Sequence, residues 1–331
     1  MSSCQRRSDH GSFRRFSFLM PADQTYESIY LAGQTGAGKT AVAIELSRQL
    51  DGPVEVINAD AYQVYRGLEI ISAVPTPHEQ ASIPHHLFGI LAGSEECDAA
   101  YFSELAKSKI AEVATRAIPL IVGGSGLYLK AITHGLASTP KGDPELRGKL
   151  DQRPLENLVE EYRALDPDGA AITNLKNRRY VTRNLEICLL TGSPASKVKN
   201  EWHDNSPDIF AFYLERSRED VYDRINRRTL AMFQAGVVNE ISNLGDLSAT
   251  AAKAIGIDEI KSLISHQISE EECIAEIQKI TRRLAKRQEA WFKREALFSR
   301  IKATSNDSPE KLAGKIRKEL DERQYPLHLS I

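Results

Sequence analysis

Long apolar runs are missing from this 331-residue chain. No stretch approaches the roughly 18–20 consecutive apolar residues of a membrane span, so a membrane protein is not expected. Cysteine is sparse: Cys4, Cys97, Cys188 and Cys273 lie far apart and form no CxxC pair. That excludes a zinc ribbon or a disulfide scaffold and fits a cytoplasmic location. Neither sign of charge dominates, the formal net charge being −2, so any polyanion must be met by a local basic face. The composition of a disordered chain is absent too, with 41% hydrophobic and 27% charged residues. No internal repeat is present. What remains is a soluble chain long enough for one large α/β domain with an appended part.

Residues 1–25 read as a disordered N-terminal extension. Its segment SSCQRRSDHGSFRRFSF (2–18) is Arg- and Ser-rich and nearly free of acid, the composition either of a transit peptide or of a tail ahead of a start at Met20. Patterning begins near Tyr26. Ser28–Gly33, VEVINAD (54–60) and IPLIVGG (118–124) read as buried strands, with helices over Thr40–Leu50 and Tyr101–Arg116. Strands alternating with helices predict an α/β fold, a P-loop NTPase-like doubly wound parallel sheet with ligands at the strands' carboxyl ends. Residues 26–137 form the first part of that core. Residues 138–206, charged and broken by Pro154, Pro167 and Pro194, predict a helical insertion domain. DIFAFYLE (208–215) returns to the sheet as a strand; 207–300 complete the core with basic helices, and 301–331 read as a last helix and a tail.

AGQTGAGKT (32–40) carries the Gly-x-x-x-x-Gly-Lys-Thr pattern of a nucleotide- or ATP-binding P-loop, between a strand and a helix as the pattern requires. Its backbone N–H groups and the helix N-terminus make an anion site spanning Gly33, Gln34, Thr35, Gly36, Ala37, Gly38, Lys39 and Thr40. Lys39 neutralises terminal phosphate oxygens, and the Thr40 hydroxyl is placed to help hold Mg²⁺. Asp60, closing the second strand, is either a metal-binding carboxylate or a general base toward an acceptor. Beside it Tyr62, Gln63, Tyr65 and Arg66 offer ring faces and polar groups for a base. Gly123-Gly124-Ser125 follows the third strand as a glycine turn with a hydroxyl. RINRR (224–228) is expected to begin a helix, with Arg224 and Arg228 on one face. One of them reaching a departing phosphate is the sharper reading, and a solvated face the plainer one. The helix EIQKITRRLAKRQEAWFKRE (276–295) combines an apolar stripe with Arg282, Lys286 and Arg287 among many cations, either a surface for the phosphates of a polyanion that the net charge conceals or a solvated charged face. KNRRYVTR (176–183) adds a second basic cluster. His85-His86 is no metal site by spacing and fits a packing or hydrogen-bonding role.

Taken together, these segments resemble the tRNA dimethylallyltransferases, also called tRNA isopentenyltransferases. ADAYQVYRGLEI resembles that family's Asp-centred motif, VGGSGLYLKA matches almost letter for letter, and RINRR, KAIG and RRLAKRQEAWFKR follow in the family's order. HHLFGI and AAYFSELA fall where related segments would, so the likeness spans about residues 28–300. It implies transfer of a dimethylallyl group from dimethylallyl diphosphate to N6 of the adenosine 3′ of the anticodon (tRNA position 37), with diphosphate leaving. By matching positions, Asp60 takes the N6 proton, while Lys39, Thr40 and Mg²⁺, helped by Thr35 and Arg228, stabilise the leaving diphosphate. The resemblance also places Asp60, Ala61, Tyr62, Gln63, Ser125, Arg147, Arg179 and Arg183 against tRNA. It further implies a monomer of the bacterial type that grips the anticodon stem-loop. Ala61 stands where the family usually has Ser, Ile71-Ser72-Ala73-Val74-Pro75 where it reads Gly-Thr-Ala-Lys-Pro, Ile257 in place of an aromatic, and Asn184 in place of a small residue. A small-metabolite P-loop kinase, a prenyltransferase of free adenine nucleotides and a non-catalytic RNA-binding descendant are the alternatives.

Overall fold

The computed structural model describes residues 25–135, 139–200 and 208–326. The expected N-terminal extension lies, but for Thr25, outside the described residues, as does the end of the expected tail. The chain runs from β1 (Ile29–Gly33) through the P-loop into α1 (Lys39–Gln49), then β2 (Val54–Asn58), α2 (Pro77–Ser82), β3 (His85–His86), α3 (Ala99–Ala114), β4 (Ile118–Gly123) and α4 (Gly126–Thr133). Five helices follow: α5 (Pro144–Asp151), α6 (Leu155–Leu165), α7 (Pro167–Ile172), α8 (Arg178–Thr191) and α9 (Ala195–Asn200). The core resumes with β5 (Phe210–Arg216), α10 (Arg218–Gln234), α11 (Val237–Ser242), α12 (Ile257–Ile264), α13 (Glu270–Phe292), β6 (Ser299–Ala303) and α14 (Pro309–Glu322).

All six strands join one parallel sheet in the order β3-β2-β4-β1-β5-β6. Because side chains alternate along a strand, the sheet feeds two cores. Ile29 and Leu31 of β1 pack with Val42 and Leu46 of α1 and with Leu312 and Ile316 of α14 on one face. Tyr30 and Ala32 pack with Phe102 of α3, Leu129 of α4 and Phe292 of α13 on the other. The sheet is therefore doubly wound, as expected. Register pairs Ala32 with Gly123 and Asn58 with Val122, bringing the carboxyl ends of β1, β2 and β4 to one level. The helices after β1 and β4 leave to opposite faces there, which opens a crevice between them.

The inserted helices α5–α9 carry a core of their own, built on Leu158, Tyr162, Val181, Leu185 and Ile187. Glu186 is fully buried and pairs with Arg147 at 2.8 Å and with Arg183 at 2.6 Å. Asn184 is buried as well; its amide donates to the Tyr162 hydroxyl at 2.8 Å and to Thr173 Oγ1 at 3.1 Å, and its carbonyl accepts from Lys199. Burial and the Arg183 charge pull the Lys199 pKa below its ordinary value.

Two expectations are corrected. RINRR lies in the middle of α10; the helix begins at Ser217, whose hydroxyl accepts the Asp220 N–H, with Glu219 and Asp220 in the first turn. Between α13 and α14, where helix and tail were expected, Ser299–Ala303 adds β6 to the sheet edge. Five residues with Arg300 and Lys302 facing solvent give too short and charged an alternation to stand out.

Gly123 shows how tightly the crevice is drawn. A Cβ there would stand 2.1 Å from the Ala59 carbonyl oxygen, one residue before Asp60. Gly123→Ala is expected to lower unfolding stability by about 2–3 kcal/mol, read as a fall in urea midpoint at constant m-value.

Candidate active site

The P-loop is held in shape by bonds from within it and from β5 and α10. Its carbonyl oxygens are taken up one after another: Gly33 O accepts from Lys39 Nζ at 3.0 Å, Gly36 O from Arg224 Nε at 2.7 Å and Ala37 O from Arg216 Nε at 2.8 Å. Gln34 Oε1 accepts from the Tyr213 hydroxyl at 2.8 Å in the core. Gly36 and Gly38 sit at φ 80° and 85°, in the left-handed region that glycine enters without cost. An added Cβ at Gly38 would also lie 2.8 Å from an Arg224 guanidinium nitrogen. Gly38 is the N-cap of α1 and brings no side chain to cap it, so the helix's first N–H groups are left for an anion.

Asp60 stands across the crevice in a turn that Asn58 closes from within the core. Asn58 Oδ1 accepts the Asp60 N–H at 2.8 Å, and its amide donates to Leu87 O at 3.0 Å and to Asp60 O at 3.3 Å. The Asp60 carboxylate accepts the Tyr62 N–H at 3.2 Å, while Ser125 Oγ accepts the Ala61 N–H at 3.4 Å. The glycine turn after β4 thereby touches the turn after β2.

Thr35, Asp60, Arg228 and Gln288 meet in one cavity, whose remaining walls include Ile71, Ile225, Met232, Ile277 and Leu284. On α10 the lining residues Ile225, Arg228, Thr229 and Met232 share one face, and on α13 Ile277, Thr281, Leu284 and Gln288 do. Arg228 and Gln288 meet Thr35 and Asp60 beside the P-loop, and farther along the two helices the apolar Met232, Ile277 and Leu284 are mixed with Thr229 and Thr281. Arg228 donates to Thr35 Oγ1 at 3.1 Å. Burial pulls the Lys39 pKa down to about 8, with the Asp60 charge opposing and Arg228 reinforcing the fall. Burial also lowers the Arg228 pKa against the pull of Asp60. Two desolvated cations thus face one carboxylate, an arrangement short of negative charge.

The residues read as RNA-facing separate into two sets. Tyr62 feels the Asp60, Arg179 and Arg287 charges, so the insertion and α13 both bring cations to the mouth of the cavity. Arg179, Lys286 and Arg287 are exposed. Arg147 and Arg183 instead spend part of their charge on Glu186, and Arg183 also donates to Pro140 O at 2.8 Å. Arg282 donates to Asn226 Oδ1 at 2.9 Å and lies over the Tyr222 ring. The Gln63 amide supports the backbone at Ser72 and Ala73, at 3.1 and 2.9 Å. Tyr65 is wholly buried and offers no ring to a base, a correction to the sequence expectation. His86 bonds Glu55 at 2.7 Å from the edge strand β3.

The departures from the family pattern have local settings. Ile71 lines the cavity, and its backbone N–H, like that of Ile70, is accepted by Glu240, at 2.9 and 2.6 Å. Ile257 opens α12 fully buried in the main core. Sequence reasoning passed over Asn58, Arg216 and Gln288, none of which belongs to a motif by residue type alone. Gln288 receives the Thr35 N–H at 2.9 Å and donates to Gly124 O at 2.9 Å. Its place within RRLAKRQEAW, between cations that carried all the attention, was the available signal.

A model of the IPP transferase family matches residues 63–295. The tRNA dimethylallyltransferase of Akkermansia muciniphila is 40% identical over 294 residues, covering 88% of this chain and 99% of that protein. Among solved structures, the tRNA isopentenylpyrophosphate transferase of Bacillus halodurans superposes with a TM-score of 0.65 at 32% identity, over 90% of this chain and 98% of that one. A eukaryotic dimethylallyltransferase captured acting on tRNA gives a TM-score of 0.74 at 25% identity, over 91% and 81% of the two chains.

An anion bound at the P-loop favours the charged form of Lys39, so its binding takes up a proton wherever the free lysine has lost one. Taken relative to Lys39→Arg, which shares the titration of diphosphate itself, wild-type affinity for inorganic diphosphate is expected to be flat below a pH of about 8 and to fall above it, approaching about tenfold per unit. The arginine's charge does not titrate in this range, so calorimetric titration of both proteins isolates that inflection.

Proposed function

The chain belongs to the IPP transferase family, and from that footing we propose that it transfers a dimethylallyl group from dimethylallyl diphosphate to N6 of the adenosine 3′ of the anticodon (position 37) in tRNA, releasing diphosphate. The observation that carries the proposal is the convergence of Asp60, Thr35 and Arg228 in one cavity with a group of apolar side chains, Ile71, Ile225, Met232, Ile277 and Leu284. A five-carbon chain ending in a diphosphate calls for both kinds of side chain. The relatives named as tRNA dimethylallyltransferases support this reading and lend nothing to the kinase or the non-catalytic one.

The adenosine N6 attacks C1 of the dimethylallyl group as the bond from C1 to the bridging oxygen breaks. Positive charge grows on the allylic carbon and negative charge on the diphosphate. The P-loop N–H groups, Lys39 and Arg228 are fixed before the reaction, so they stabilise the leaving group without reorganising. Asp60 accepts the proton that N6 loses, its carboxylate held toward the cavity by the Asn58 clamp. The adenine must leave its stack to reach this depth, at a cost that contacts with the surrounding loop offset. Arg179, Lys286 and Arg287 at the mouth meet RNA phosphates, and Arg147 and Arg183 keep half of their function for the insertion's own fold.

The donor set fits Mg²⁺. Among the described residues no group of three or more His, Cys, Asp or Glu side chains could hold a metal ion by itself. Magnesium commonly takes one or two protein oxygens and completes its shell with substrate phosphates and water, and Thr40 at the start of α1 is placed to supply such an oxygen. When bound, the ion would neutralise charge on the diphosphate. Among the described residues no helix is long and apolar enough to cross a membrane, and the reading is of a monomer working in the cytoplasm.

Purified protein incubated with Mg²⁺, dimethylallyl diphosphate and unmodified tRNA is expected to yield an adenosine heavier by one dimethylallyl group in nucleoside mass spectrometry. Asp60→Asn should lower kcat about 10²- to 10⁴-fold while tRNA affinity changes less than about threefold. Parallel loss of tRNA binding and rate would remove Asp60 from the role of base.

A further inference from the structure

Gln288 ties together three segments far apart in sequence. Oε1 accepts the Thr35 N–H of the P-loop and Nε2 donates to the Gly124 carbonyl of the turn after β4, both at 2.9 Å. The two partners fix the amide's orientation, since an N–H demands the oxygen and a carbonyl the NH₂. The span is tight on both sides: a Cβ on Gly124 would stand 2.9 Å from Gln288 Nε2 and 2.9 Å from Gly33 O. Gln288 also lines the cavity, one helical turn beyond Leu284.

The bond decides which part of Thr35 is available. With its N–H committed to Gln288, Thr35 presents its hydroxyl, and that oxygen accepts from Arg228 at 3.1 Å. We propose that Gln288 is a positioning residue for the transfer reaction, holding the Thr35 hydroxyl and through it the Arg228 guanidinium on the leaving-group side of the cavity. It acts through Thr35 and does not itself reach the reacting atoms. The proposal rests on the function given above. Chemistry explains the residue type: an amide of this length accepts at one end and donates at the other without a charge, whereas a carboxylate would repel the diphosphate. The helix does not depend on Gln288 for its seat, because Trp291 packs over Gly126, where a Cβ would come within 2.3 Å of the indole.

Gln288→Ala and Gln288→Glu test this. Gln288→Ala is expected to lower kcat about 10- to 100-fold, with donor KM and tRNA affinity nearly unchanged and faster hydrogen exchange at the Thr35 amide. Gln288→Glu keeps the acceptor for Thr35 but loses the donor and gains a charge. Its activity relative to wild type should recover as pH falls from about 6 toward about 4, through the ordinary glutamic acid pKa of about 4.3; Gln288→Ala should show no such recovery. Wild-type kcat in Gln288→Ala, identical pH profiles for the two variants, or unchanged Thr35 exchange would each overturn the assignment. If the wild type itself transfers nothing, the function falls first. Exchange at Thr35 in wild type and Gln288→Ala then decides the strut alone: equal rates overturn it, faster exchange in the variant supports it.

Discussion

A P-loop binds anions because its N–H groups converge, and they converge here because its carbonyls are held elsewhere. Arg216 and Arg224 on the outside, Lys39 on the inside and Tyr213 below take up acceptors of the loop and its Gln34 side chain. Those four donors come from three elements: Tyr213 and Arg216 from β5, Arg224 from the middle of α10 and Lys39 from the start of α1. The loop thus adds to the β1–β5 pairing a second tie between the two halves of the interrupted core. Arg216 is nearly buried and is itself balanced by Asp220 at 2.6 Å, so this junction carries its own counter-charge.

The sheet order turns that junction into a reaction site. With β1 between β4 and β5, the loops after β1, β2 and β4 open on one crevice. The chain then leaves the sheet for five helices and comes back beside β1, which lets α10 and α13 each line the crevice with one face of mixed apolar and polar side chains. The donor proposed above, with a hydrocarbon end and an ionic end, would find Ile225, Met232, Ile277 and Leu284 on one side of this cavity and Thr35, Asp60 and Arg228 on the other.

Much of this was legible. Glycines that must be glycine, as at Gly36, Gly38 and Gly123, leave a spaced signature, and buried parallel strands read as apolar runs. Asp60 was legible as a strand-end carboxylate across from the P-loop, and it lines the cavity there while also accepting the Tyr62 N–H, the turn-capping bond that an Asp at such a place commonly makes. What escaped was whatever depends on a partner far away in sequence. Arg147 and Arg183 look like free cations until Glu186 appears beneath them. Tyr65 looks like its neighbour Tyr62, yet one is core and the other lines the cavity. β6 is an edge strand whose outward residues are charged, so it lacks the apolar run that marked the others. Gln288 is one neutral residue among cations, and its meaning lies in two backbone atoms more than a hundred residues away.

Asn184 and Lys199 have a history that neither shows alone. The asparagine fills a buried site, satisfied on one side by Tyr162 and Thr173 and on the other by the lysine. A small apolar residue at 184 would strand the half-buried ammonium of Lys199, while an apolar residue at 199 would strand the asparagine's carbonyl. Each has become the other's reason to stay. The two positions are therefore coupled, and a small residue at 184 is better accommodated when Lys199 changes with it.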